Sequence, residues 1–447
     1  MFQKVLIANR GEIAVRIIQA CRDLGIISVA VYSEADREAL HAQIADEAVC
    51  IGPARAADSY LNMDNIISAA LASGCQAIHP GFGFLSENPD FAERITQAGL
   101  AFIGPTAATI RLMGDKSEAK RNAIAAGVPV ALGTDGPLRD FDEAISEAER
   151  IGYPVMLKAA SGGGGKGIRV AESVKDLKDA YDSASAEAIA NFGDGRLYME
   201  KYIHNPRHIE VQILGDNYGN VVHLFERECS VQRRHQKLIE ESPSAFVTPE
   251  LREKMTSAAV ALAKRVGYRN AGTIEFLVDN DRNFYFCEMN TRIQVEHPVT
   301  EEVTGVDLVC EQLRGAAGEP LSFKQEDLTI RGHAIECRIN AEDPSRNFAP
   351  CPGTLVSLHL PGGPGVRVDS AAYQGYKIPP FYDSMIGKLI VYGADREQAI
   401  VRMRRALAEM LFEGVVTATD YQMHILCSKA FVEANFNVNS IANGDFD

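Results

Sequence analysis

Residues 4–25 read KVLIANRGEIAVRIIQACRDLG, a short apolar run followed by a polar loop and an amphipathic stretch. The apolar run has the length of a buried strand, and apolar spacings of three and four in IAVRIIQAC predict a helix. Similar strands recur at IISVAVYS, QAIHPGFG and LAFIGP, with helical patterns between them. Strands that alternate with helices indicate a parallel α/β unit, which extends to about residue 114.

The pattern changes after this unit. Between residues 115 and 333, helices mix with hairpin-like strands such as YPVMLKAA and RLYMEKYI, which predicts an α+β region. From about residue 334 onwards, the runs AIECRINA and MIGKLIVYG predict a β-rich region, with a helical stretch after Asp395. We therefore expect an α/β and α+β chain of roughly three domains, which suits a length of 447 residues.

The composition excludes several classes of protein. Asp and Glu number 60 against 45 Lys and Arg, a formal net charge of −15 that repels nucleic-acid backbones and anionic lipid surfaces. No apolar stretch is long enough to span a membrane. The nine cysteines include no C-x-x-C pair and are expected to be free thiols, and the first residues lack the apolar core of a signal peptide. These features predict a cytoplasmic protein.

Residues 162–167 read GGGGKG and fit the pattern G-x-G-x-x-G. Strands are predicted on both sides, whereas a dinucleotide-binding fingerprint needs a helix after the glycines, and Lys166 is not followed by Ser or Thr as in a Walker A loop. A glycine-rich hairpin over phosphate groups remains, with a flexible surface hairpin as the alternative. Lys116 and Lys158 could pair with the same phosphates, although a solvated edge lysine is the commoner role for a residue like Lys158.

The most informative polar pair is Glu275 and Glu288, in two alternating apolar segments joined by DNDR. A two-residue turn at Asp281-Arg282 places the glutamates opposite each other, with Asn290 on the same face. Opposed carboxylates destabilise a sheet unless a cation neutralises them, and Mg²⁺ prefers such oxygen ligands together with nucleotide phosphates. The alternative is a register that differs by one or two residues and leaves both glutamates in water.

Two polar strings could bind an anion. Residues 291–298 read TRIQVEHP, and on an extended backbone Arg292, Gln294 and Glu296 share one face, where Arg can clamp a planar anion and Glu can remove a proton. A charged loop before a helix is the alternative. Residues 232–237, QRRHQK, offer further donors for an anion, although such a cluster alone is more often solvated surface.

Nine motifs, in order along the chain, resemble those of the biotin carboxylase family within the ATP-grasp superfamily. They are IANRGEIAVRI, HPGFGFLSEN, RLMGDKSEAK, KAASGGGGKG, MEKYIHNPRHIEVQ, SVQRRHQK, EMNTRIQVEHPVTE, GHAIECRINAEDP and FYDSMIGKL. The resemblance implies an N-terminal Rossmann-like α/β domain (1–114), a central ATP-grasp domain (115–333) with a mobile lid at about 131–203, and a C-terminal β-rich domain (334–447). It implies that ATP and bicarbonate form carboxyphosphate, whose CO₂ is transferred to N1′ of biotin.

The resemblance also implies roles for individual residues. Those implied to hold the ATP phosphates are Lys116, Lys158, Gly163, Gly164 and Gly165, and those at the adenine edge are Glu200, Lys201 and Ile203. Further nucleotide contacts are His208, Gln232 and His235, and the ligands of Mg²⁺ or Mn²⁺, with two ions expected, are Glu275, Glu288 and Asn290. Residues implied around bicarbonate are Lys237, Arg292, Gln294 and Val295. Glu296 is the implied base, Arg338 stabilises the oxygen of deprotonated biotin, and Phe82, where Tyr is common, and Gly83 lie at the biotin edge.

The expected partners follow from the same resemblance. No Met-Lys pair of the kind found around biotinylated lysines occurs, so we expect biotin on a separate carrier protein. A homodimer and carboxyltransferase subunits are also implied. Acetyl-CoA carboxylase is the favoured complex, with a pyruvate, 2-oxoglutarate or propionyl-CoA carboxylase as alternatives. Two other functions are alternatives, namely another ATP-grasp ligase that acts on an amine and a non-catalytic ATP-binding regulator. Neither would need Arg292, Gln294, Glu296 and Arg338 together.

Overall fold

The structure, a computed structural model, describes residues 1–160 and 167–447. In the first part, strands and helices alternate as β1 (Lys4–Ile7), α1 (Gly11–Asp23), β2 (Ile27–Tyr32), α2 (Leu40–Ile44), β3 (Glu47–Cys50), α3 (Met63–Ala72), β4 (Ala77–His79), α4 (Pro89–Gln97), β5 (Ala101–Phe102) and α5 (Ala107–Gly114). The strands form one parallel sheet in the order β3-β2-β1-β4-β5. The predicted parallel α/β unit is therefore confirmed.

The second part is a small layer of helices on an antiparallel sheet. Its elements are α7 (Phe141–Ile151), β6 (Val155–Ala159), β7 (Ile168–Ala171), α8 (Val174–Phe192) and β8 (Leu197–Lys201). Helix α6 (Lys116–Ala125) precedes this layer, and its Ala119 and Ala123 belong to the core of the larger sheet that follows. Strand β6 pairs with both β7 and β8, as the hairpin-like patterns predict. Gly163, Gly164 and Gly165 lie between β6 and β7 and outside the described residues.

A large antiparallel sheet and its helices make up most of the remaining chain, with two small two-stranded sheets in its C-terminal part. Before residue 330 its elements and their helices are β9 (Arg207–Gly215), β10 (Val221–Arg233), β11 (Gln236–Ser242), α9 (Pro249–Arg265), β12 (Asn270–Val278), β13 (Phe284–Asn290), α10 (His297–Thr304) and α11 (Leu308–Ala316). After it come β14 (His333–Asn340), β15 (Glu342–Asp343), β16 (Ala349–Pro350), β17 (Ser357–His359), β18 (Val366–Ser370), β19 (Met385–Gly393), α12 (Arg396–Glu409), β20 (Leu411–Glu413), α13 (Thr419–Cys427), α14 (Lys429–Val432) and α15 (Ser440–Asn443).

The eight strands of this sheet run in the order β13-β12-β9-β10-β11-β14-β19-β18. Because β11 pairs with β14, one continuous sheet joins the α+β part to the C-terminal part, and the domain limits given above remain predictions. The β-rich C-terminal region and the helix after Asp395 are confirmed. Among the described residues, no helix is both long and apolar enough to cross a membrane.

The hairpin of β12 and β13 has the predicted pairing of its glutamates but a different turn. Glu275 lies opposite Glu288, as predicted. The predicted two-residue turn is wrong, because the strands close at Asp279 and Asn283, whose backbone N–H and C=O are 2.9 Å apart. A one-residue shift at Cys287 then restores the register between the turn and the glutamates. The longer turn and the shift at Cys287 therefore offset each other, so that Glu275 and Glu288 are paired as predicted.

A buried ion pair ties this sheet to α12. Glu241 on β11 accepts a hydrogen bond from Arg396 Nε at 2.7 Å and lies 2.7 Å from His333 Nε2. Burial alone would raise the pKa of Glu241, but Arg396 and His333 outweigh it and lower that pKa to about 2. The pair therefore stabilises the fold above the ordinary carboxyl pKa, and this contribution is lost as the pH falls towards 2.

We expect Arg396→Met to destabilise the protein by about 3 kcal/mol at pH 7, because it leaves Glu241 buried beside a single partner. The loss is expected to be smaller at pH 4, where the uncompensated carboxyl is protonated. Urea unfolding at the two pH values measures this difference. Arg405→Met on the same helix, which removes the exposed pair with Glu409, is the control and should change stability by less than about 1 kcal/mol. Equal losses for Arg396→Met at both pH values would contradict the assignment.

Candidate active site

The centre of the candidate site is Lys237, at the start of β11. Its ammonium donates to three carboxylates, Glu210 at 2.6 Å, Glu275 at 3.0 Å and Glu296 at 2.5 Å. Glu210 on β9 and Glu275 on β12 are direct neighbours across the two strands. Burial disfavours the charged lysine, but the three carboxylates raise the pKa of Lys237 well above its ordinary value. Lys237 is therefore a permanent cation that holds acidic groups from three segments of the chain together.

Glu296 lies on the other side of Lys237 and is completely buried. It accepts a second hydrogen bond from Arg338 Nη2 at 2.9 Å, while Arg338 Nε binds Glu240 at 2.6 Å. Burial alone would raise the pKa of Glu296, but Lys237, Arg338 and Arg227 lower it far below its usual range. The Glu296 side chain is therefore ionised at neutral pH and held between two cations.

The segment that carries Glu296 is not extended. Residues 291–296 form bends and a turn, with Glu296 at φ −81° and ψ 12°, and α10 begins at the next residue. The expected extended backbone is wrong, and the alternative, a charged loop before a helix, is the one observed, because the chain turns here to enter α10. The side chains nevertheless converge: Arg292 Nη1 donates to Gln294 Oε1 at 3.3 Å, and Gln294 Nε2 donates to Glu275 Oε1 at 2.9 Å.

The predicted metal ligands lie beside this cluster. Glu275 Oε2 is 3.1 Å from His208 Nε2, and Arg292 Nη2 donates to Asn290 Oδ1 at 2.9 Å. Glu288 is exposed to solvent in the cleft, and its partial removal from water and the charge of Glu275 raise its pKa above the ordinary value. Two opposed carboxylates and an amide oxygen on one face match the ligands of a hard divalent cation. The residues present therefore fit a magnesium or manganese site.

Several of the residues predicted at the nucleotide lie on or beside β6 and β8. Lys158 on β6 donates to Glu200 on β8 at 2.5 Å. Lys201 donates to two backbone carbonyls, Gly152 at 3.0 Å and Tyr153 at 2.7 Å. Ile203 is half-buried just after β8. The structure therefore brings Lys158 and Glu200 together, whereas the Lys201 ammonium binds the backbone.

Lys116 lies near two of the predicted metal ligands. It lines a cavity of about 230 Å³ together with Glu288 and Asn290. Gln232 is buried on β10, with its Nε2 bound to the Cys229 carbonyl at 2.9 Å. His235 occupies the exposed turn between β10 and β11 at φ +64°. His235 lies outside the carboxylate cluster. The predicted contact between His235 and the nucleotide remains a prediction.

The predicted biotin edge is a loop after β4. Asn9 Nδ2 donates to the carbonyls of Pro80 and Phe82, each at 2.7 Å, and thereby holds this loop against the N-terminal sheet. Phe82 is half-buried and Gly83 is exposed at φ +68°, a conformation that suits glycine. Val295, which is predicted beside bicarbonate, is held through its backbone, because its carbonyl accepts a hydrogen bond from Lys388 at 2.8 Å.

Family models match almost the whole chain. The biotin carboxylase N-terminal domain matches residues 1–110, the ATP-binding domain of the carbamoyl-phosphate synthase L chain matches residues 115–324, and the biotin carboxylase C-terminal domain matches residues 336–443. The chain belongs to the biotin carboxylase family. The resemblance stated from the nine motifs is thereby confirmed, and the protein is an ATP-dependent carboxylating ligase.

Similar proteins include a protein named biotin carboxylase and parts of pyruvate and 2-oxoglutarate carboxylases. Biotin carboxylase 1 of Bacillus subtilis is 56% identical over 100% of this chain and 99% of its own length. A pyruvate carboxylase subunit of Methanothermobacter thermautotrophicus is also 56% identical, over 96% of this chain and 88% of its own length. The biotin carboxylase domain dimer of Hydrogenobacter thermophilus 2-oxoglutarate carboxylase, solved with MgADP, ADP and bicarbonate, has a TM-score of 0.94 and 51% identity, and covers 100% of this chain and 99% of that chain.

Sequence reasoning missed several members of this candidate site. Glu210 is bound by Lys237 and by Arg227 Nε, the latter at 2.5 Å, and Glu87 binds Arg292 Nε at 2.8 Å. The alternation of polar residues in PRHIEVQ, which places Glu210 on the face of His208, is the signal that could have revealed Glu210. Arg227 has no such signal, because it lies between two other charged residues in the string ERE.

Proposed function

We propose that this chain carboxylates N1′ of biotin on a separate carrier protein, with ATP and bicarbonate as substrates and carboxyphosphate as the intermediate. We further propose that this is the first half-reaction of acetyl-CoA carboxylase in fatty-acid synthesis. The observation that carries the proposal is the ionised Glu296 carboxylate, held between Lys237 and Arg338 at 2.5 and 2.9 Å. A base and two cations in one buried cluster suit an anionic substrate that must lose a proton.

In this proposal Lys237, Arg292 and Gln294 hold bicarbonate, with the Val295 backbone beside them. Glu296 then removes the bicarbonate proton. Its pKa is too low for a strong base while two cations bind it, but an anion that takes over part of Lys237 and Arg338 would raise that pKa. Arg338 is also the group assigned to the developing negative charge on biotin.

We assign Glu275, Glu288 and Asn290 to Mg²⁺ or Mn²⁺, with two ions expected. Bound metal would neutralise phosphate charge during phosphoryl transfer. The assigned nucleotide residues are Lys116, Lys158, Glu200, Lys201, Ile203, His208, Gln232 and His235, with Gly163, Gly164 and Gly165 added from sequence alone. The segment of about residues 131–203, which includes the β7-β6-β8 sheet, is assigned as the lid over the nucleotide.

ATP hydrolysis by the purified chain tests the function directly. Turnover should require Mg²⁺ and bicarbonate and rise when free biotin is added. Turnover indifferent to bicarbonate and biotin would overturn the proposal. The choice of complex needs a second assay, in which labelled bicarbonate is supplied with the carrier and carboxyltransferase. Label is expected in malonyl-CoA from acetyl-CoA, whereas label from pyruvate, 2-oxoglutarate or propionyl-CoA alone would favour the alternative carboxylases.

We also propose that the chain forms a homodimer. Val356, Leu360 and Leu411 are exposed apolar residues in and beside the paired strands β17 and β20. Exposed apolar patches of this kind mark interaction surfaces. Light scattering is expected to give about twice the chain mass of 48.6 kDa, and a monomer at micromolar concentration would contradict the proposal.

Glu288→Gln is expected to weaken the metal dependence, because one anionic ligand is lost from the assigned site. We expect the Mg²⁺ concentration for half-maximal ATP turnover to rise about tenfold or more, which corresponds to about 1.4 kcal/mol. A titration of activity against Mg²⁺ measures the shift. Asp281→Asn, at the turn of the same hairpin, is the control and should leave the titration unchanged. An unchanged Mg²⁺ requirement in Glu288→Gln would contradict the ligand assignment.

A further inference from the structure

Lys388, in the middle of β19, has a completely buried side chain. Its ammonium donates to the Val295 carbonyl at 2.8 Å and forms an ion pair with Glu12 of α1 at 3.3 Å. Asp369 on β18 is 4.0 Å away. A buried ammonium is costly unless its charge and its N–H groups are satisfied. Lys388 therefore joins three parts of the chain, namely α1, the C-terminal strands and the turn before α10.

The Val295 carbonyl is the contact with a consequence for the active site. It belongs to the peptide group that leads directly into Glu296. In a trans peptide the C=O and the following N–H point in opposite directions, so the contact with Lys388 orients this whole peptide plane. Glu296 makes no side-chain cap at the start of α10, because its carboxylate is bound to Lys237 and Arg338 instead. Within the turn, the Gln294 carbonyl accepts the His297 N–H and lies 2.8 Å from His297 Nδ1, and Lys388 adds the long-range contact to the next peptide group.

The ion pair with Glu12 does not account for Lys388 by itself. The distance from the ammonium to Glu12 Oε1 is 0.5 Å longer than that to the Val295 carbonyl, from 3.3 and 2.8 Å. Burial raises the pKa of Glu12 to about 7 in spite of the nearby lysine. Asp369 has its own closer partner, because Arg367 Nε donates to it at 2.8 Å. The shortest contact of the Lys388 ammonium is thus the one to the turn that carries Glu296.

We propose that Lys388 is a positioning residue for Glu296. Its hydrogen bond to the Val295 carbonyl fixes the orientation of the peptide group that precedes Glu296. This peptide group carries the proposed base and lies where bicarbonate is proposed to bind. Lys388 touches no substrate in this role. The inference rests on the proposed function, since it concerns how the bicarbonate side of that site is held in place.

Three variants test the proposal, namely Lys388→Met, Glu12→Gln and the double variant. Lys388→Met leaves Glu12 buried without its cation, so its thermal midpoint is expected to fall. The double variant removes both charges and should recover part of that midpoint. ATP turnover is then measured while bicarbonate and MgATP are varied separately. In Lys388→Met and in the double variant we expect kcat/KM for bicarbonate to fall at least tenfold, with KM for MgATP within twofold of the wild type. Glu12→Gln retains the Val295 contact and should keep kcat/KM for bicarbonate within twofold.

The double variant is the decisive one, because it separates a folding defect from a positioning defect. Wild-type bicarbonate kinetics in the double variant would show that Lys388 only balances Glu12, and would overturn the proposal. Equal losses for bicarbonate and MgATP would indicate a general loosening of the fold and would also overturn it. A wild-type protein without bicarbonate-dependent turnover would instead overturn the proposed function, and the role of Lys388 with it.

Discussion

Glu296→Gln is expected to lower kcat for bicarbonate-dependent ATP turnover by about 10²- to 10⁴-fold, the usual contribution of a positioned general base. The amide keeps the shape of the side chain but cannot accept the proton of bicarbonate. KM for MgATP should change little, because Glu296 is neither an assigned nucleotide residue nor an assigned metal ligand. Steady-state kinetics with each substrate varied in turn measures both quantities.

The control for this variant is Glu241→Gln. It removes another buried carboxylate of the same sheet, but one that is paired with Arg396 and His333 and not with Lys237. We expect Glu241→Gln to lower stability and to leave bicarbonate kinetics close to those of the wild type. If Glu296→Gln retained most of the turnover, Glu296 would not be the base, although the fold would be unaffected.

Lys237→Met is expected to have the second large effect, on stability as well as on activity. The ammonium binds Glu210, Glu275 and Glu296 at once, and its removal leaves three buried carboxylates with fewer cations. Breaking a buried charge cluster in this way costs about 3–5 kcal/mol. Bicarbonate-dependent turnover should fall at least about 10²-fold, since a preorganised cation next to the anionic substrate is lost.

Urea unfolding and ATP turnover of Lys237→Met measure these losses. Lys264→Met is the matched control, because Lys264 is an exposed lysine in the last turn of α9. It should change stability by less than about 0.5 kcal/mol and leave turnover unchanged. A Lys237→Met protein as stable as the wild type would mean that the carboxylates find other partners, and that Lys237 is not the centre of the cluster.

The proposed role of Glu296 as the base requires its pKa to rise when the substrate binds. Lys237, Arg338 and Arg227 hold the pKa of this carboxyl far below its usual range. In the proposed mechanism, an anion bound to Lys237 and Arg338 would weaken that stabilisation and make the carboxylate more basic.

Local sequence patterns were sufficient to predict several strands and helices, and they predicted part of the candidate site. The apolar periodicities of residues 4–25 and the alternation around Glu275 depend only on near neighbours, so they predict the first strand and helix and the β12-β13 hairpin. The opposition of Glu275 and Glu288 is correct although the predicted turn is not, because the bulge at Cys287 offsets the longer turn. Residues 291–296 form the loop before a helix that the sequence offered as the alternative to an extended backbone, and Pro298 in the first turn of α10 is a local signal for it.

The α/β and α+β classes and the nine ordered motifs that indicate the biotin carboxylase family can be read from the chain without coordinates. That Glu210, Glu275 and Glu296 share one ammonium, and that Lys388 contacts the Val295 carbonyl from 93 residues away, becomes visible in the folded chain alone. The difference arises because the periodicity of a strand or helix is encoded by near neighbours. The partners of a buried charge are instead set by long-range strand pairing, which brings β9, β11, β12 and the loop before α10 to one point.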